Sequence, residues 1–224
     1  MAVVSPVSHR LTVAGLLMLT FATGLVDAIS VLHLGHVFVA NMTGNVIFLG
    51  FWFVPHSGVD LPAAAVGFAG FVTGAVIGGR LARRMDHDVR RWLTFALGGE
   101  VVVLLILSAL AGAGVLNYQG RGRLILILGL ATVFGSQSVA ARRFGIPELT
   151  TTVLTATIVS IGMDSRLAGG SGERERLRYA VVFTMCGGAA VGATLSLLVV
   201  APVIALAALS VAGGLAVFRY GRAD

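Results

Sequence analysis

The sequence contains no lysine and a single cysteine in 224 residues. Charge is scarce as well: 12% of residues are charged, against about 25% in soluble domains. All 16 basic residues are therefore arginine, set against 10 acidic ones. The lone Cys186 sits inside an apolar run, which excludes a disulfide framework and marks it as a small core residue. What the chain has in excess is apolar surface, with 57% hydrophobic residues and a mean hydropathy of +0.94. A soluble domain of this size could not hide that much. A soluble enzyme, a disordered tail and a disulfide-rich secreted scaffold are excluded. The sequence pI near 11.0 is that of many nucleic-acid binders. However, the arginines form short clusters between long apolar runs, as cytoplasmic loops of membrane proteins do. The expected partner is the lipid bilayer, not nucleic acid.

The first apolar run extends from Leu11 to about Val31. A signal h-region is shorter, about 7–15 residues, and ends at a small-residue cleavage site. This run ends in Val31-Leu32-His33-Leu34 and reads as a retained span. A spanning helix needs about 20 mostly apolar residues. Six runs meet or approach that length, at about 11–31, 62–81, 92–115, 122–141, 179–198 and 200–218. The last two touch at Ala201-Pro202, where proline ends one helix and opens the next.

Two further apolar stretches are too short or too polar to span. One is Asn41-Met42-Thr43-Gly44-Asn45 followed by Val46 to Val54; the other is Leu149, Thr150 to Thr152, then Val153 to Ile161. Each predicts a helix of about 14 residues, roughly 20 Å long, against a hydrocarbon core of about 30 Å. Half-helices of this kind reach membrane depth only when buried by protein or lining a wet cavity.

Arginine placement decides whether they cross. If both return to the side they came from, with the N-terminus inside, 14 arginines face the cytoplasm and only Arg121 and Arg123 lie outside. If both cross, nine lie inside and seven outside. The positive-inside rule favours the first arrangement. Both termini are then expected in the cytoplasm of a bacterial inner membrane.

Shifting the sequence by 111 or 112 places Gly24 on Gly135, Asp27 on Ser138, and Thr43-Gly44-Asn45 on Thr155-Ala156-Thr157. A shift of 114 places Gly74-Ala75-Val76-Ile77-Gly78 on Gly188-Ala189-Ala190-Val191-Gly192. Each half reads long span, half-helix, glycine-rich span, long span. Three crossings per half is an odd number, so the second half is expected upside down relative to the first. The expected fold is an all-α integral membrane protein in one domain over 1–224. It has six transmembrane helices plus two re-entrant half-helices in two inverted-topology repeats, about 11–115 and about 122–218. Such repeats with broken helices are a hallmark of secondary transporters.

A helix start exposes unpaired N–H groups and about half a positive charge, and it attracts anions. Asn41, Thr43 and Asn45 in the first half-helix, and Thr151, Thr152 and Thr155 in the second, are the expected solute ligands. Capping by Asn and Thr is the competing reading. Asp27, a carboxylate within a span, either binds a proton or cation or hydrogen-bonds the adjacent half-helix start. Glu100, nine residues beyond Arg91, is a second coupling or gating candidate, against pairing with a nearby Arg or burial as a neutral acid. Gly74-x-x-x-Gly78 and Gly188-x-x-x-Gly192 are close-packing motifs. An enzyme is not expected: Ser136 and Ser138 lack a histidine partner, and no zinc spacing is present. No metal or cofactor is expected.

Gly24-Leu25-Val26-Asp27-Ala28, Leu34-Gly35-His36-Val37-Phe38-Val39-Ala40-Asn41-Met42-Thr43-Gly44-Asn45, and the stretch from Ala140-Ala141-Arg142-Arg143 to Leu149-Thr150-Thr151-Thr152-Val153-Leu154-Thr155 resemble the YoaK-like bacterial membrane proteins. Leu25 stands where that family commonly has an aromatic residue. The resemblance covers essentially the whole chain. It implies a polytopic inner-membrane protein and the same span count, with no established substrate. The functional expectation is a small transporter or channel-like protein for a small anionic or polar solute, working alone or as a homodimer. The alternative is a structural or regulatory membrane subunit that moves nothing. A fluorescent-protein fusion after Asp224 should fluoresce, and alkaline phosphatase inserted near Asn117 should be active. The reverse pattern overturns the orientation.

Overall fold

The computed structural model describes residues 5–118, 120–144, 154–165, 168–172 and 174–223, all of them helix or connecting segment. The eight helices are α1 (His9–His33), α2 (Met42–Leu49), α3 (Leu61–Arg84), α4 (Val89–Gly112), α5 (Gly122–Arg143), α6 (Leu154–Met163), α7 (Glu175–Ser196) and α8 (Ala201–Tyr220). Six of them are long and apolar enough to cross a membrane: α1, α3, α4, α5, α7 and α8. They match the six expected spans to within a few residues, although Cys186 of α7, expected in the core, is exposed on the surface of its helix. Their starts follow local chemistry. Ser8 accepts from Leu11 N, Asp60 from Ala63 N and Asp88 from Arg91 N, each satisfying an otherwise orphan donor. Pro62 and Pro202 occupy first-turn positions that need no N–H.

α2 has 8 residues, shorter than the 14 expected; α6 has 10 among the described residues, and the expected start of that second half-helix, 149–153, lies outside them. At α2 the reason is visible. Gly50 and Phe51 donate to Ile47 O and Phe48 O, which tightens the last turn and ends the helix. The residues beyond it, Trp52 and Phe53, are exposed, as aromatic side chains at a membrane interface are.

Polar contacts sort the helix ends into two groups. At one end the Arg90 guanidinium donates to Pro6 O (2.9 Å), Arg219 O (3.0 Å) and Gly221 O (2.9 Å), while Ser8 N donates to Arg222 O (3.0 Å). Arg143 joins this end by donating to Ala82 O, pairing with Asp86 and lying over the Trp92 ring. At the other end Asp60 pairs with Arg123, and His33 meets Tyr118 edge to face. The chain from α1 to α3 thus leaves and re-enters the bundle at this second end.

The core is built on two parallel helix pairs, α1 with α7 and α3 with α5, joined by antiparallel contacts of α8 with α1 and α4. In the first pair, a Cβ on Gly24 would overlap Met185 O and crowd Ala189 N, one on Gly188 would overlap Phe21 O, and one on Gly192 would lie 2.7 Å from Leu25 O. In the second pair, Gly135 faces Phe71 O and Ala75 N in the same way, Gly74 faces Thr132 O, and Gly78 faces the Ser136 main chain. Adding 111 to the α1 residues and subtracting 114 from the α7 residues converts the first set of contacts into the second, pair by pair. Lipid supplies no hydrophobic drive between helices, so backbone contact of this kind carries the association.

Gly74→Val should cost about 1–3 kcal/mol or more through overpacking and lower the melting temperature in detergent by several degrees. Gly99→Ala is the control, because nothing lies within 4 Å of its Cβ position. Equal effects of the two changes would refute the packing account.

Candidate functional site

Buried non-helical backbone has N–H and C=O groups that no helix or neighbouring strand satisfies. Between α1 and α2 the chain solves this with side chains. The buried Asp27 takes Val39 N and Ala40 N on Oδ1, each at 2.9 Å, and Asn41 Nδ2 on Oδ2 at 2.5 Å. From the other side, Asn45 accepts Phe38 N on Oδ1 (2.9 Å) and donates Nδ2 to Phe38 O (2.6 Å). Phe38 folds its ring over Gly44, and Gly67 of α3 leaves the room that Asn45 and Phe38 O occupy. Segment 38–41 is thus clamped between a carboxylate on α1 and an amide on α2. Of the two readings of Asp27, the hydrogen bond to the half-helix start is the contact present.

The other expected ligands are placed differently. Thr43 and Thr155 are exposed. Thr151 and Thr152 lie outside the described residues. Asn45 and Thr157, which the offset of 112 residues places at matching positions, are the buried residues of α2 and α6. The two short helices are fastened at separate levels. Asn41 hangs from Asp27, close to where Leu25 meets Gly192. α6 is held by Arg178, which donates to Ser160 O (3.0 Å) and pairs with Asp164 (2.7 Å). From Arg178 to Gly192, α7 rises about 21 Å. In the packing, α2 lies against α3 and α6 against α7.

Between these levels lies a polar contact that the sequence reading passed over. Gln137 of α5 donates to Thr23 of α1 at 3.3 Å, both side chains buried, and Gln137 Oε1 has no partner among the described residues. Arg178 was also missed, counted as a loop charge although it is 9% exposed. A polar amide in the apolar run 122–141 was the available signal for the first; nothing in the spacing distinguished the second from its neighbours.

Glu100 sits 11 residues into α4, about 16 Å from its start. Neither carboxyl oxygen has a hydrogen-bond partner among the described residues. It faces a cavity of about 230 Å³ bounded by α3, α4 and α5. It shares no contact with the Asp27 clamp.

This geometry defines a multi-pass helical membrane protein with two short helices tucked against its spanning bundle. Within that class, the chain belongs to the family described as protein of unknown function (DUF1275), whose model matches residues 15–217. It is similar to the UPF0700 transmembrane protein YoaK of Bacillus subtilis (strain 168), 33% identical over 158 residues, which is 69% of this chain and 66% of that protein. The match thus spans just under two thirds of that relative's length. No solved structure matches the chain.

Asp27→Ala leaves two buried N–H groups unpaired at about 1–3 kcal/mol each. It should lower the melting temperature by several degrees and speed proteolysis within 50–60, with Asp27→Asn intermediate. An unchanged Asp27→Ala protein would show that the clamp is dispensable.

Proposed function

We propose that this protein is a small secondary transporter or channel-like protein for a small anionic or polar solute, and not an enzyme. Its two halves act as inverted repeats, with α2 and α6 as re-entrant half-helices and both termini in the cytoplasm of a bacterial inner membrane. The observation that carries this reading is the correspondence of glycine contacts in α1·α7 and α3·α5. Contacts that interchange under the repeat offset are what a two-fold axis in the membrane plane requires, and transporters with that symmetry bind solute near the midplane. Thr23 and Gln137 lie at the contact of the two leading helices, between the levels of the half-helices. The free Gln137 acceptor and the paired hydroxyl make that layer the place for a polar solute, with the clamped half-helices as seals above and below.

A second reading, a structural or regulatory membrane subunit, draws on the clamp itself: Asp27, Asn41 and Asn45 are all engaged in holding their own chain. Uptake of a panel of small anions and polar solutes into proteoliposomes, with and without a pH gradient, separates the two. Transport predicts uptake above empty liposomes for at least one solute, lost by tenfold or more in Gln137→Leu. Uptake at the background level across the panel, from folded protein, favours the subunit.

A further inference from the structure

The cavity beside Glu100 is lined by no residue of α2 or α6 and by neither Thr23 nor Gln137. Its walls are Ile77 and Leu81 of α3, and Phe95 and Val103 of α4, with Thr132 and Ser136 of α5 behind. Glu100 is 2% exposed and close to the middle of α4. Ile77 and Phe95, by contrast, are exposed on the flank that faces hydrocarbon, so the cavity opens sideways between α3 and α4. Those two helices are joined by a short turn yet barely touch along their length.

A carboxyl in this setting must carry a proton or face a cation, because an unpaired carboxylate out of water is prohibitively unstable. Among the described residues, no arginine forms an ion pair with Glu100. Arg91, nine residues earlier on the same helix, has its guanidinium over the Phe95 ring at 5.9 Å. A bare metal ion is poorly served too, since hard cations want six or more oxygens, and no group of three His, Cys, Asp or Glu occurs among the described residues. One acid at the end of an apolar slot matches a different ligand: an ammonium group on a hydrocarbon body.

We infer that the α3–α4–α5 cavity is a binding site for a lipophilic amine, entering from the bilayer, its ammonium group paired with Glu100 and its chain lying along Ile77, Leu81, Phe95 and Val103. At about 230 Å³, against roughly 30 Å³ for one water, the cavity holds a single short alkyl chain. The site requires no transport, so it stands or falls independently of the function proposed above.

The test is equilibrium binding of radiolabelled n-octylamine to purified protein in nanodiscs, corrected for empty nanodiscs, with n-octanol as the uncharged competitor. Saturable binding at one site per chain is expected, with n-octanol competing at least tenfold more weakly than unlabelled amine. Glu100→Gln should weaken binding at least tenfold. Gly99→Phe, which builds into the cavity from a position with no atom within 4 Å of its Cβ, should abolish binding while leaving the melting temperature nearly unchanged. Absence of saturable binding to folded wild-type protein overturns the inference. So does equal affinity in Glu100→Gln, or equal competition by n-octanol.

Discussion

Everything else in this bundle depends on backbone meeting backbone at glycine. In water, helices associate to hide apolar surface; in lipid that drive is gone, and only close van der Waals contact and polar pairing remain. Gly24, Gly188 and Gly192 let α1 and α7 touch main chain to main chain, and Gly135, Gly74 and Gly78 do the same for α5 and α3. The contacts extend over several turns in each pair, so a methyl group at the Gly74 position would press the helices apart along their length. The remaining spans pack more conventionally. Phe218 of α8 fills the space beside Gly15 and stacks on Phe144, with ring centroids 5.1 Å apart.

The second constraint is that buried peptide groups need hydrogen-bond partners. Helices answer it internally; segment 38–41 cannot. Its donors are taken by the carboxylate of Asp27 and the amide of Asn45, both presented from rigid helices. That arrangement explains a carboxylate inside an otherwise apolar span without assigning it a proton to carry. It also explains why a run as distinctive as Ala40-Asn41-Met42-Thr43-Gly44-Asn45 can be structural in origin: Asn45 bonds to Phe38 just before the run, and Asn41 bonds to Asp27 of α1. Charge-assisted bonds to backbone N–H groups are among the stronger ones available, which suits a non-helical segment held between two helices.

Much of this was legible from residue order. The six long helices were visible because apolar length is a direct physical requirement of the bilayer, and the glycines were visible because close packing needs their spacing. The offsets that align Gly24 with Gly135 and Gly74 with Gly188 reappear as contacts. The short helices were harder. Apolar character continues to Val54, but α2 stops at Leu49, because Gly50 and the tightened turn end it before composition changes. Asn45 was read as a ligand since a polar group near a helix start is open to both roles; only the position of Phe38 shows that its amide is already engaged. Gln137 and Arg178 escaped notice because burial of a single polar side chain is set by neighbours more than 100 and more than a dozen residues away in sequence, respectively.

The clasp made by Arg90 has a consequence for the order in which the chain could be written. Three carbonyls, from Pro6, Arg219 and Gly221, converge on one guanidinium, and Ser8 is bonded to Arg222. The beginning and end of the bundle are therefore neighbours, the condition under which circular permutation is tolerated. A gene rewired to run from α5 through α8, across a brief linker, and on from α1 to α4 keeps every helix contact described above. It moves both free ends to the opposite face of the membrane. The described helices form, in that sense, a ring whose opening could lie at either of two places.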